Sequence, residues 1–287
     1  MKIAVIGANG QLGTELCATF SRHHEVMALT HDEVEVSDLE SVQTRLRALQ
    51  PSVVVNTAAY HNVPLCEQEP VQSFKVNALG AFNLARVTEE IGAVLVHFST
   101  DYVFDGQKRT PYLEVDRTNP LNMYGLTKLS GETLVLNHCQ RHFVVRLSGI
   151  YGRTPCRAKG GNFIMTMLKA AREKPEVRVV DDEVLTPTPV SDIARNTLAL
   201  VQSGAFGLYH MTCQEACSWY EFAGVIFSEL HLQTPLEPCL AADFPTPVKR
   251  PLYSVLENLN LRAIGLDHMP HWKDALVNFL KNYANNS

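Results

Sequence analysis

Five short apolar runs, at residues 3–6, 26–29, 53–56, 94–98 and 143–146, alternate with stretches at 12–21, 39–49, 74–91 and 123–139 whose apolar residues recur at helical spacing. A strand followed by a helix and then another strand closes most readily into a parallel sheet, because the helix carries the chain back across the sheet face in a right-handed crossover. The pattern therefore predicts an α/β fold: a doubly wound parallel sheet over about the first 150 residues, with ligands expected at the carboxyl ends of its strands. Hydrophobic residues make up 46% of the 287, enough to fill such a core, and this excludes a disordered, collagenous or repetitive chain.

Beyond Arg153 the alternation loosens. Residues 153–161 are polar and basic, and Pro175, Pro187, Pro189, Pro235, Pro238, Pro245, Pro247 and Pro251 interrupt shorter elements. A smaller α+β substrate-binding lobe over 154–287 is expected, after a nucleotide-binding domain at 1–153. Residues 177–180 and 207–211 read as strands that rejoin the main sheet, so the first domain takes back part of about 175–210. Trp272, Ala275, Leu276, Phe279 and Leu280 fall on one helical face and predict a closing helix docked on the body. Phe74, Ala78, Ala81, Phe82 and Ala85 read as core on the same grounds.

Charge limits the partners. Only 19% of residues are charged, the formal net charge is −5, and no basic block occurs, which argues against nucleic acid and against an anionic membrane. Cys17, Cys66, Cys139, Cys156, Cys213, Cys217 and Cys239 are scattered, without a C-x-x-C pair, and neither His23-His24 nor His268 with His271 has carboxylates at ligand spacing. Reduced thiols and no metal are expected. No apolar stretch approaches 18 residues, so a cytoplasmic protein acting on a small molecule is the expectation.

Three motifs carry the chemistry. Gly7-x-x-Gly10-x-x-Gly13 follows the first strand and opens the first helix, where glycines let backbone approach a pyrophosphate and the helix N-terminus attracts it. At the end of the second strand stands Thr30-His31-Asp32 in place of the immediate acidic residue of strictly NAD-dependent enzymes, which favours NADPH, with NADH as the other candidate. Tyr124 and Lys128 lie at i and i+4 on one helical face, so the ammonium can tune the phenol as a proton donor; alone, such a pair is commonly just a solvated ion contact. Thr100, after residues 94–98, stands at a strand's carboxyl end, ready to hydrogen-bond a substrate carbonyl.

In this order, Gly7-x-x-Gly10-x-x-Gly13, Ser99-Thr100-Asp101-Tyr102-Val103-Phe104 and Tyr124-x-x-x-Lys128 resemble an extended short-chain dehydrogenase/reductase with a Rossmann-type core. More narrowly the chain resembles the dTDP-4-dehydrorhamnose reductase family, nearly end to end, through 56–60, 120–125, Gly161-Asn162-Phe163, Pro187-Thr188 and Arg250-Pro251. The resemblance implies reduction of the C4 ketone of dTDP-4-dehydro-L-rhamnose to dTDP-L-rhamnose. It implies that Gly10, Gln11 and Leu12 meet the cofactor pyrophosphate, that Glu35 and Val36 flank the adenine, and that Ala58, Ala59, Tyr60 and His61 line the cleft. Tyr124 becomes the proton donor, Lys128 holds the nicotinamide ribose, Thr100 and Asp101 meet the sugar, and Tyr102, Asn162 and Arg250 are further substrate contacts. It also points to a homodimer through the helices around Phe74 and Ala85. A Trp of the family's pocket is replaced here by Gly149, and a Gly by Leu185, which keeps open a 4-ketoreductase forming another 6-deoxy sugar such as 6-deoxytalose. The other alternative is a non-catalytic NADP-binding regulatory subunit of methionine adenosyltransferase.

Overall fold

The computed structural model describes residues 1–155, 160–244 and 246–284; Cys156 and Pro245, both invoked above, lie outside the described residues. The chain runs β1 (Lys2–Ile6), α1 (Gln11–Phe20), β2 (Glu25–Leu29), α2 (Leu39–Leu49), β3 (Val53–Asn56), α3 (Val63–Gln68), α4 (Pro70–Phe74), a π-helical turn (Lys75–Leu79), α5 (Gly80–Glu90) and β4 (Val94–Thr100). It continues with α6 (Met123–His138), β5 (His142–Leu147), β6 (Ile150–Tyr151), α7 (Phe163–Glu173), β7 (Val177–Val180), β8 (Val184–Leu185), β9 (Thr188–Pro189), α8 (Val190–Ser203) and β10 (Gly207–His210). After these come β11 (Cys217–Ser218), α9 (Trp219–Glu229), β12 (Leu236–Cys239), α10 (Leu259–Ala263) and α11 (Trp272–Ala284).

The central sheet is parallel throughout, in the order β10-β5-β4-β3-β1-β2. Alternate residues of its strands face opposite sides, and helices cover both, which is why the runs read as continuously apolar. Ile3, Val5, Val53, Val55, Val96 and Phe98 join Leu12, Leu16, Ile193 and Ala194 of α1 and α8 in one core. Ala4, Ile6, Val54, Leu95 and Val144 join Val42, Leu46, Leu84 and Val135 of α2, α5 and α6 in the other. Because β1 has β2 on one side and β3 on the other, the strand order reverses there, and a crevice opens at their carboxyl ends.

Three expectations are corrected. The single helix at 74–91 is split by the π turn, within which Asn77 is buried and hydrogen-bonded to Tyr60 and Thr127. Ala78, Ala81 and Ala85 are buried as expected, but Phe74 is 39% exposed and Phe82 half-buried. Of the two returning strands only β10 enters the main sheet, at the edge beside β5. Val177–Val180 pairs instead with Leu236–Cys239 in a separate two-stranded parallel sheet, the place beside β5 being taken. The C-terminal face docks as its spacing predicts: Trp272, Ala275, Leu276 and Leu280 are buried, and the Phe279 ring lies 5.2 Å from that of Tyr151.

Candidate active site

The turn from β1 to α1 is fixed by two glycines. Gly7 has φ +77°, and a side chain there would meet Thr57 Oγ1 at 2.7 Å and Ala58 N at 2.9 Å. A Cβ on Gly13 would stand 2.3 Å from the Gly7 carbonyl oxygen. Gly10 differs: it is the N-cap of α1, no side chain caps it, and the space around its missing Cβ is open apart from the Gly7 oxygen at 3.2 Å. The N–H groups of Gln11, Leu12 and Gly13 have no acceptor within the helix, so the positive end of α1 faces the crevice. Gln11 donates to the Ile150 carbonyl (3.3 Å), while its buried Oε1 has no partner among the described residues. An uncapped helix end with free N–H donors fits a bound dinucleotide diphosphate.

The neighbouring strand ends supply the rest of this cleft. Ala58 N–H donates to Asn56 Oδ1 (3.0 Å), and the Ala59 carbonyl meets His61 Nδ1 (3.1 Å). Tyr60 is held through its backbone by Asn77 (2.8 and 2.9 Å), and its hydroxyl donates to Glu69 (2.5 Å), a bond that pushes the phenol up to about 12. Past β2, Glu35 accepts from Ser37 N–H and Oγ (both 2.8 Å) and lies 2.6 Å from His31 Nε2; although burial opposes it, these partners lower its pKa. Val36 is buried against Gly80, where a Cβ would come within 2.7 Å of its methyl.

Tyr124 and Lys128 sit in the first turns of α6. Asn122 caps this helix, accepting from Gly125 N–H (2.9 Å) and donating to the Lys249 carbonyl (2.9 Å), and Glu67 accepts from Met123 N–H (2.6 Å). Gly125 lets the helix touch the turn after β4: a Cβ there would be 2.2 Å from the Tyr102 oxygen. The Tyr124 and Tyr102 rings meet edge to face, 5.9 Å apart. Lys128 is 3% exposed and donates from Nζ to the Phe98 carbonyl of β4 (2.6 Å). Burial brings its pKa down to about 8, against the nearby Glu132 carboxylate, which raises it. Beside it His97, buried and accepting from Asn56 Nδ2 at 3.0 Å, is held neutral, first by burial and then by the Lys128 charge.

Thr100 ends β4 two residues beyond Phe98, and its hydroxyl donates to Asp101 (2.9 Å) and accepts from Tyr102 N–H (3.2 Å). Asp101 is 4% exposed and its other oxygen accepts from Ser148 Oγ (2.8 Å) and Ser254 Oγ (2.6 Å). Burial raises its pKa and the three hydroxyls oppose that, so the carboxylate ties the turn after β4 to Ser148 and Ser254. Asn162 caps α7 through Met165 N–H (3.1 Å) and donates to the Gly152 carbonyl (2.7 Å). Arg250 is exposed, and its charge is felt by Tyr102, whose pKa burial raises, and by the half-buried Glu183.

Sequence reasoning did not single out Asn77, Asn122, Glu183 or Glu132. Asn122 had a readable signal, a capping residue before an apolar helix, and Glu132 had the i+4 spacing from Lys128. Among the described residues no three His, Cys, Asp or Glu side chains are arranged to hold a metal ion.

Comparison with known proteins agrees with this geometry. A family model described as the RmlD substrate binding domain matches residues 1–285. The spore coat polysaccharide biosynthesis protein SpsK of Bacillus subtilis is 38% identical over 281 residues, 98% of this chain and 97% of its own. A dTDP-4-dehydrorhamnose reductase of Burkholderia thailandensis is 36% identical over 293 residues, 96% and 97% of the two chains. The crystal structure of a dTDP-4-dehydrorhamnose reductase from Bacillus anthracis in complex with NADP superposes with a TM-score of 0.94 at 33% identity, over 98% of this chain and all of that one. With the glycine turn, the Tyr–Lys helix and the Thr100 strand end already in place, the chain belongs to the dTDP-4-dehydrorhamnose reductase family.

Proposed function

We propose that this protein reduces the C4 ketone of dTDP-4-dehydro-L-rhamnose, forming dTDP-L-rhamnose, with NADPH as the reductant. The observation that carries the reading is the placement of Tyr124 and Lys128 against the carboxyl end of β4, on the same edge of the parallel sheet as the uncapped N-terminus of α1. The names of the relatives and the NADP complex of the B. anthracis protein support it. Bound in the crevice, the dihydronicotinamide supplies a hydride to C4. Tyr124 gives its phenolic proton to O4, so carbonyl, hydride and proton sum to the alcohol. Lys128, anchored on Phe98, places a positive charge near the phenol and the nicotinamide ribose, and Thr100 orients the ketone. Arg250 and Tyr102 take the nucleotide-diphosphate and sugar side, Arg250 through its fork of donors. In this reading residues 1–153, rejoined by part of 175–210, form the cofactor half, and 154–287 form most of the substrate half. The reduced cysteines suit a cytoplasmic enzyme; among the described residues no helix is long and apolar enough to cross a membrane.

The test mixes purified protein with NADPH or NADH and dTDP-4-dehydro-L-rhamnose, follows nicotinamide absorbance, and identifies the sugar by NMR. Oxidation of NADPH with formation of dTDP-L-rhamnose is expected. A talose product, or cofactor binding without turnover, would overturn the reading in favour of the epimeric reductase or the regulatory subunit.

We also infer a homodimer through α4, the π turn and α5. Val71 (68% exposed), Phe74 and Leu79 (43%) line an apolar groove of about 470 Å³ with Phe82 and Leu134, a surface that a second copy would cover. Sedimentation at micromolar concentration should give a dimer, and Phe74→Glu a monomer; a monomeric wild type would refute the inference.

A further inference from the structure

One helical turn beyond Lys128, on the same face of α6, stands Glu132, 1% exposed. A carboxylate taken out of water needs compensating charge and hydrogen bonds, and Glu132 finds both on the neighbouring strands. Arg146 of β5 grips it from Nε (3.0 and 3.1 Å) and Nη2 (2.7 Å), and Ser99 of β4 donates its hydroxyl to Oε1. Behind the pair, Arg146 Nη1 donates to His210 Nε2 (3.4 Å) while His210 Nδ1 donates to the Glu257 carbonyl (3.1 Å). Burial pushes that imidazole down to about 3, so it carries no charge.

Ser99 lies between Phe98, whose carbonyl receives the Lys128 ammonium, and Thr100. One carboxylate thus joins the helix bearing Tyr124 and Lys128 to the strand bearing Thr100, within one residue of both contact points. Among the described residues, the Lys128 ammonium feels Glu132 on its own helix, acts on the neutral His97 on β4, and has Tyr124 one turn before it on the same face of α6. Arg146 on β5 is engaged by Glu132, and Asp101 and Tyr102 occupy the turn after β4. Glu132 is therefore ion-paired with Arg146 and, one helical turn from Lys128, favours that lysine's charged form through its own charge.

We propose that Glu132, clamped by Ser99 and Arg146, is a positioning residue that holds Lys128 in register with Phe98 and Thr100 and keeps its ammonium charged. This rests on the reading of Tyr124 and Lys128 given above. The test uses the double variant Glu132→Gln with Arg146→Met, which removes the anion without stranding the guanidinium. Loss of an opposite charge lowers a lysine's pKa, so the alkaline limb of the kcat–pH profile should move down by about one unit, with kcat at pH 7.5 about tenfold lower. Substrate KM and the Kd for NADPH, read by tryptophan fluorescence, should stay within about threefold, since neither ligand touches Glu132.

A folded double variant with the wild-type kcat and pH profile would overturn the proposal, leaving Glu132 as a mere counter-charge for Arg146. So would a rise in KM with kcat unchanged. If circular dichroism shows the double variant unfolded, Ser99→Ala decides with the ion pair intact: a fall in kcat of about threefold or more with a downward-shifted limb supports the clamp, and wild-type behaviour overturns it. Failure of the underlying reading shows separately, as near-wild-type turnover by Tyr124→Phe, which leaves the Glu132 clamp untouched.

Discussion

Replacing Tyr124 with Phe is expected to lower kcat by about 10²–10⁴-fold, the range a positioned proton donor contributes. Only one oxygen is lost. The ring contact with Tyr102 at 5.9 Å survives, as do the Asn122 cap and the Lys128 bond to Phe98, so the helix keeps its place. NADPH binding should change by less than about threefold, and substrate KM only modestly. Stopped-flow measurement of a single turnover separates the cases: a slowed hydride step with an unchanged cofactor Kd fits proton donation, whereas retained turnover removes Tyr124 from that role.

The largest effect on stability is expected from Arg146→Met alone. Glu132 and Arg146 are 1% and 3% exposed, and deleting one partner strands the other's charge, at a cost of about 3–5 kcal/mol. Urea denaturation at pH 7 measures the loss. Adding Glu132→Gln should recover most of the loss, since a neutral pair of similar volume replaces a buried ion pair at little net cost. An Arg146→Met protein as stable as wild type at pH 7 would contradict this account.

Much of the central sheet was legible because its physics is local. Parallel strands buried on both faces leave continuous apolar runs, and the runs at 53–56 and 94–98 fall on β3 and within β4. The glycine turn was legible for the same reason: backbone contact at Gly7 and Gly13 is a demand that only glycine meets. What escaped depends on distant partners. The π turn leaves no periodic signature, since Asn77 is held by Tyr60, 17 residues away, and Thr127, 50 away. An apolar run such as 177–180 suits any parallel neighbour, and nothing within it names Leu236–Cys239. Asp101 is tied to Ser254, 153 residues on, a partner that no local pattern names. The α7 cap at Asn162, by contrast, had a local signal, a capping residue ahead of an apolar helix.

The return of β10 to the central sheet has a consequence for synthesis. The edge beside β5 stays bare until Gly207–His210 has left the ribosome, by which time much of the second lobe is already outside. A nascent chain stopped near residue 153 would carry an apolar strand with unpaired backbone groups, a template for association with its neighbours. The two halves are therefore partners in folding: the first is finished only by a strand that the second delivers.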